Sequence, residues 1–122
     1  MRMTVRDLLE KQADKYSDKV FLYLEDQSIT YQNFNLTVNR VANAFKRMDV
    51  DKGERVAIML PNSPEFLYTW MGLNKVGAVE VPINIGFTEM EVKHILQHSE
   101  SSGIVIHQEY YPIFNRIRRE EV

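Results

Sequence analysis

Apolar positions along the chain recur in two ways: at a 3.6-residue spacing, and in short unbroken runs between polar or Gly/Pro-containing breaks. Val5, Leu8, Leu9, Ala13 and Tyr16 fall on one helical face, so residues 4–16 are predicted to form a surface helix with its charges outward. "KVFLYLE" and "SITY" are β-prone runs split by "DQ" at 26–27, the pattern of a hairpin with a tight turn. Phe34, Val38, Val41, Ala42, Phe45 and Met48 make a stripe that predicts an amphipathic helix over 31–48, N-capped by Thr30. "DVDKGE" breaks the pattern, and "RVAIML" then reads as an interior strand. In "PNSPEF", Ser63 caps a helix opening on Pro64, where a missing N–H does no harm, and Glu65 suits the positive helix end. That helix carries Phe66, Leu67, Trp70, Met71 and Leu73 around most of its circumference, which predicts burial on more than one side. "AVEVPI" is a further strand. Thr88 and Glu91 form a capping box for a helix reaching about Ser99, with Met90, Val92, Ile95 and Leu96 inward. "GIVIH" is the next strand, and "EYYPIFNRIRREE" begins a last helix.

After the hairpin, helices and strands alternate with connections too long for hairpins, so the predicted class is α/β: an N-terminal helix and β-hairpin, then mostly parallel strands covered by helices on both faces. No internal repeat or Gly/Ser linker divides the chain, so one domain is expected. The sequence stops at Glu120, Glu121 and Val122 within the last predicted helix, with no cap or following strand, and the expectation is a piece of a longer protein.

Composition narrows the function classes. Of 122 residues, fifteen Lys and Arg stand against seventeen Asp and Glu, a formal net charge of −2, so no global field draws the chain to nucleic acid or an acidic membrane. The absence of cysteine removes disulfides, Cys-ligated zinc, iron–sulfur clusters and thiol nucleophiles. No apolar stretch approaches the ~20 residues that cross a bilayer, and the start lacks the apolar core of a signal peptide, so a cytoplasmic location is expected.

Several patterns invite chemistry. "GLNKVGAVEVPIN" has glycines at 72 and 77, the spacing of a P-loop, but Ala78 and Val79 stand where Lys and Ser/Thr would be, and Gly72 lies inside a helix. Gly77 reads instead as a left-handed helix cap. No G-x-G-x-x-G fingerprint is present. His94 and His98 are four apart on one helix, a spacing that turns both imidazoles to one side, with Glu91 nearby; zinc sites usually need three protein ligands, so a solvated helix face is the expectation. His107 reads as a strand-end residue and Ser101–Ser102 as a turn without the G-x-S-x-G elbow. "RIRRE" is offset by Glu109, Glu120 and Glu121 and reads as a salt-laced helix face. The residues alone assemble no active site.

"SITYQNF", "KGERVAIMLPNSPEF" and "GLNKVGAVEVPIN", in this order, resemble the N-terminal region of the adenylate-forming, AMP-binding enzyme superfamily, which includes acyl-CoA synthetases, aryl-CoA ligases, luciferases and peptide-synthetase adenylation domains. The resemblance continues through "TEMEVKHILQHSESSGIVI" and covers nearly the whole chain. Ile29, Thr30 and Tyr31 match the family's first core motif, whereas Asn33 and Phe34 depart from it; a Glu at 33 would complete a capping box with Thr30, so this helix start should be less well capped. Asp49 stands where the family often has Gly after this helix, and Asp tolerates a left-handed cap. Leu73, Gly77 and Pro82 match the second core motif. "EYYPIFNRI" is similar to carnitine/crotonobetaine-type CoA ligases.

The resemblance implies that residues 1–122 are the incomplete N-terminal portion of the large AMP-binding domain of an acyl-CoA synthetase-like enzyme. Its implied chemistry uses ATP, Mg2+ and coenzyme A: a carboxylic acid is converted to an acyl-adenylate, and coenzyme A then displaces AMP. The family's phosphate loop, adenine-binding stretch, ribose-binding Asp and mobile-domain Lys match nothing in 1–122, so no residue is assigned as catalytic, cofactor-binding or metal-binding. The chain alone is therefore expected to be inactive and to bind no cofactor. Homo-oligomerisation is left open, and the competing reading is a stand-alone flavodoxin-like module with its ligand at the carboxyl ends of the strands.

Overall fold

A computed structural model of the chain describes residues 4–24 and 27–121. Helix α1 (Val5–Lys15) opens on a capping box in which Thr4 Oγ1 accepts from Asp7 N at 3.0 Å while Asp7 accepts from Thr4 N at 3.1 Å. Only Leu9 and Ala13 of its expected stripe are buried; Val5 and Leu8 remain about half exposed, because α1 touches the rest along one narrow line. Strands β1 (Val20–Leu24) and β2 (Gln27–Thr30) pair antiparallel as a separate two-stranded sheet. Gln27, predicted as a turn residue, instead pairs with Leu24 at the start of β2; Asp26 lies outside the described residues. Phe21 pins β1 to the next helix by packing edge-on against Phe34 at 4.3 Å and stacking on Tyr31 at 5.0 Å.

Helix α2 (Tyr31–Arg47) buries Phe34, Val38, Ala42 and Phe45. Thr30 caps it through Asn33 N at 3.1 Å, and with Asn at position 33 the reciprocal bond of a box is absent, as the sequence implied. Met48 was predicted on the inward stripe but is 71% exposed, since it sits at the C-cap where the helical path ends; Asp49 then takes the left-handed conformation, φ 60°. Helix α3 (Pro64–Val76) packs closely on α2 because Gly72 presents no side chain: a Cβ there would lie 2.7 Å from Val41 Cγ1. Its two-sided apolar pattern is realised, with Phe66, Trp70 and Leu73 on one side and Leu67, Tyr68 and Met71 packed with Phe34 and Val38 on the other.

Strands β3 (Arg55–Met59), β4 (Val79–Pro82) and β5 (Gly103–Ile106) form a parallel sheet in the order β4-β3-β5. Val56 and Ile58 pack with Phe45 and Leu73 of α2 and α3, while Ala57 and Met59 pack with Val92 of α4 (Glu89–Ser99) and Ile117 of α5 (Tyr111–Glu121). Burial on both faces is why β3 is a continuous apolar run rather than an alternating one. Full burial of Ile58 and Met59 contributes about 1.5–3 kcal/mol each. Met90, expected inward, is 80% exposed: α4 buries the line of Val92, Ile95 and Leu96, and Met90 is two residues, about 200°, around the helix from Val92. The last helix is preceded by a 3-10 turn, Gln108–Tyr110. Among the described residues no helix is long and apolar enough to cross a membrane.

Candidate functional site

In open parallel sheets, ligands bind beyond the carboxyl ends of the strands, where successive connections leave in opposite directions. Here the chain runs from β3 through α3 to β4 on one side, then through α4 to β5 on the other, so the switch point falls between β3 and β5. A crevice of about 510 Å3 lies there, lined by Leu60, Pro61, Ser63, Glu65, Ile106 and His107. A second, of about 430 Å3, lies beyond β3 and β4 and is lined among others by Asn62, Phe66, Asn84 and Phe87.

Local hydrogen bonds shape this rim. Ser63 Oγ accepts from Phe66 N at 3.3 Å and donates to Pro61 O at 2.9 Å, so the hydroxyl is spent on the α3 cap. Asn84 Oδ1 accepts from Gly86 N at 2.8 Å, folding the β4–α4 loop into a side-chain-closed turn. Glu91 Oε1 accepts from Thr88 N at 3.0 Å, and Thr88 Oγ1 accepts from Glu91 N at 3.3 Å; the backbone N–H of Thr88, then its hydroxyl, hold the Glu91 carboxyl below its ordinary range. His107 Nδ1 accepts from Glu109 N at 3.1 Å and thereby starts the 3-10 turn. Ser63, Asn84 and His107 thus each spend a side-chain acceptor on a local turn or cap at this rim.

The other sequence-stretch candidates fall where spacing placed them. Gly77 has φ 79° and ends α3, its N–H donating to Asn74 O at 3.0 Å while Ala78 N donates to Leu73 O at 3.0 Å. His94 and His98 are both exposed on one side of α4, with parallel rings and centroids 5.6 Å apart. Glu91 is held in the cap rather than turned to them. Ser102 Oγ donates to Arg55 O and Glu54, closing the turn into β5. Arg116 pairs with Glu89, and Arg118 donates to Asn115, which makes the basic cluster a helix-to-helix tie. Among the described residues no group of three His, Cys, Asp or Glu gathers as a metal site.

Two ionisable groups, one buried and one half-buried, escaped the sequence reading. Lys75 is 6% exposed, and its Nζ donates to Glu10 Oε1 at 3.1 Å and to the Oδ1 atoms of Asn35 and Asn39 at 2.6 Å each, tying α3 to α1 and α2. Arg6 adds a bond to Lys75 O at 3.1 Å and a pair with Glu10 at 3.2 Å. The available signal was Asn35 and Asn39 at i,i+4 on an otherwise apolar-striped helix. Glu80 on β4 has Oε1 buried without a partner, and burial pushes its carboxyl up.

The family described as AMP-binding enzyme matches residues 9–121. Crotonobetaine/carnitine–CoA ligase of Salmonella paratyphi A is 38% identical over 120 residues, covering 94% of this chain and 23% of that protein. The protein of the same name from Escherichia coli O17:K52:H18 is 36% identical over 122 residues, covering 96% and 24%. The chain thus spans about a quarter of the length of these curated relatives. Among solved structures, the N-terminal domain of FACL13 from Mycobacterium tuberculosis superposes with a TM-score of 0.87 at 32% identity, covering 96% of this chain and 30% of that one. The anthranilate CoA ligase AuaEII, solved with anthranoyl-AMP, gives 0.87 at 29% identity, covering 95% and 22%.

Proposed function

Because the chain belongs to the AMP-binding enzyme family, we propose that it forms the scaffold part of an ATP-dependent carboxylic acid–CoA ligase. In that reaction a carboxylate oxygen attacks the α-phosphorus of ATP, releasing pyrophosphate and leaving an acyl-adenylate; the thiol of coenzyme A then attacks the acyl carbon and releases AMP. The substrate class proposed is a small aliphatic acid of the crotonobetaine or carnitine type. One observation carries this: the match to crotonobetaine/carnitine–CoA ligase runs over 94% of the chain at 38% identity.

The charge neutralisation such phosphate chemistry needs is not assigned to these residues. No trio of hard ligands for Mg2+ gathers among the described residues, and Ser63, Asn84 and His107 of the rim each use a side-chain acceptor in a local turn or cap. The part proposed for residues 1–122 is therefore to hold the parallel sheet and its rim loops, within a soluble cytoplasmic enzyme. The crevice between β3 and β5 is what favours the alternative, a stand-alone flavodoxin-like binding module.

Pyrophosphate release separates these readings. A longer protein containing this chain should release pyrophosphate only when the acid, ATP and Mg2+ are all present, and the 122 residues alone should release none. Release by the 122 residues alone would overturn the scaffold assignment; acid-independent release by the longer protein would overturn the ligase assignment.

A further inference from the structure

We propose that His107 is a pH-sensitive latch on the β5–α5 turn: the neutral imidazole closes the turn beside the switch-point crevice, and proton uptake releases it. Glu109 N donates to His107 Nδ1 at 3.1 Å, and His107 is the N-cap of the 3-10 turn Gln108–Tyr110. A ring nitrogen that accepts from an N–H carries no proton of its own, so this geometry fixes the neutral tautomer with its hydrogen on Nε2. Protonation places a second hydrogen on Nδ1, where it faces the Glu109 N–H donor to donor. The bond then cannot form, and Glu109 N loses the acceptor that the cap supplied.

The surroundings confine the change to one loop. The backbone of His107 is tied twice, its N–H donating to Met59 O at 3.1 Å and its carbonyl accepting from Tyr110 N at 2.9 Å, so β3 and the turn keep their hold on it. The imidazole itself is exposed and meets the Tyr110 ring at 5.9 Å between centroids, which leaves it room to turn away. Glu65, in the first turn of α3, lines the same crevice, and Glu109, Tyr110 and Tyr111 follow His107 in the chain; Leu60 and Pro61, beyond β3, carry no charge. The two carboxylates attract an imidazolium, whereas the amino end of α3 at Ser63 opposes it. Once released, the turn keeps the Tyr110 N bond and Tyr110 keeps its packing against the core of Met59 and Val92. Acid therefore loosens one loop of the rim and leaves the sheet intact.

The test is nuclear magnetic resonance of nitrogen-15-labelled protein, titrated from about pH 8 to about pH 5, the interval in which histidine changes charge. At the alkaline end His107 should show a bare Nδ1 and a protonated Nε2. As the pH falls, the Glu109 amide proton should move upfield with the same midpoint as the His107 ring. In His107→Asn, whose side-chain oxygen accepts at every pH, the Glu109 signal should stay in place across the interval. Replacing His94 and His98 together with Gln should leave the Glu109 response unchanged, which assigns it to His107. A hydrogen on Nδ1 at the alkaline end, a Glu109 amide that ignores the His107 titration, or an equal Glu109 response in His107→Asn would each overturn the proposal. The first two are read on the unaltered protein and do not depend on how His107→Asn folds.

Discussion

Replacing Lys75 with Met removes a cation from the junction of three helices while keeping most of its aliphatic stem. The Lys75 side chain is 4% exposed and Glu10 41%, so the two ends of the ion pair respond differently. Breaking a fully buried pair costs about 3–5 kcal/mol because a stranded charge remains. Here the stranded Glu10 is partly solvated and keeps Arg6 at 3.2 Å, so that penalty shrinks. What remains is the loss of two charge-assisted bonds to Asn35 and Asn39, each net about 1.5–3 kcal/mol, partly offset because the apolar methionine side chain needs no partners there. The expected destabilisation is about 2–3 kcal/mol, or roughly 8–12 °C in melting temperature for a chain of this size. Urea unfolding followed by Trp70 fluorescence measures it.

The pH dependence checks the same junction. Burial opposes ionisation of Glu10, but the bonds from Lys75 and Arg6 outweigh it and hold the carboxyl below its ordinary 4.5. A depressed folded-state value means the stability is present above 4.5 and lost as pH falls through the folded value. The gap between Lys75→Met and the unaltered protein should therefore narrow in acid. A variant within about 0.5 kcal/mol of the original at neutral pH, or a gap that widens in acid, would refute the reasoning.

Three further substitutions test other parts of the account. Glu80→Gln should stabilise at neutral pH, because a carboxyl with a raised folded-state value weakens the fold as pH rises through that value; equal unfolding curves for the pair across pH would contradict this. Gly77→Ala forces a side chain into φ 79° and puts a Cβ 3.0 Å from Lys52 Cγ, so it should cost about 1–2 kcal/mol in denaturant titration. Gly72→Ala should cost about 1–3 kcal/mol, since its Cβ would meet Val41 Cγ1 at 2.7 Å, and Val41→Ala should recover part of that loss; absence of any rescue would count against the close α2–α3 approach.

Local signals carried most of the fold. Thr30, Ser63 and Thr88 cap where their hydroxyls predicted, because an N-cap depends on three or four neighbouring residues and little else. Gly77 likewise ends α3 as expected, and β3 lies central because only a strand covered on both faces needs four consecutive apolar residues. The misplacements at Met48 and Met90 share a cause: at helix ends the periodic pattern runs past the packed partner, and a flexible apolar side chain tolerates solvent there. Lys75 was not legible because its partners come from α1 and α2, 36 to 65 residues away in sequence. Glu80 was hidden in the same way, since a charge on an edge strand reads as solvent-facing until the packing around it is known. Gly72 and Gly77 show the limit from the other direction: a phosphate-loop spacing arose from one residue that lets two helices touch and another that turns the chain.

The ligase reading is tested most directly with a carboxylic acid labelled with oxygen-18 in both carboxylate positions, incubated with ATP, Mg2+, coenzyme A and a longer protein containing this chain. If an acyl-adenylate forms, one labelled oxygen leaves on AMP and the acyl-CoA keeps the other, as read by mass spectrometry. Label recovered in inorganic phosphate with ADP as co-product, or no label in AMP despite acyl-CoA formation, would contradict it.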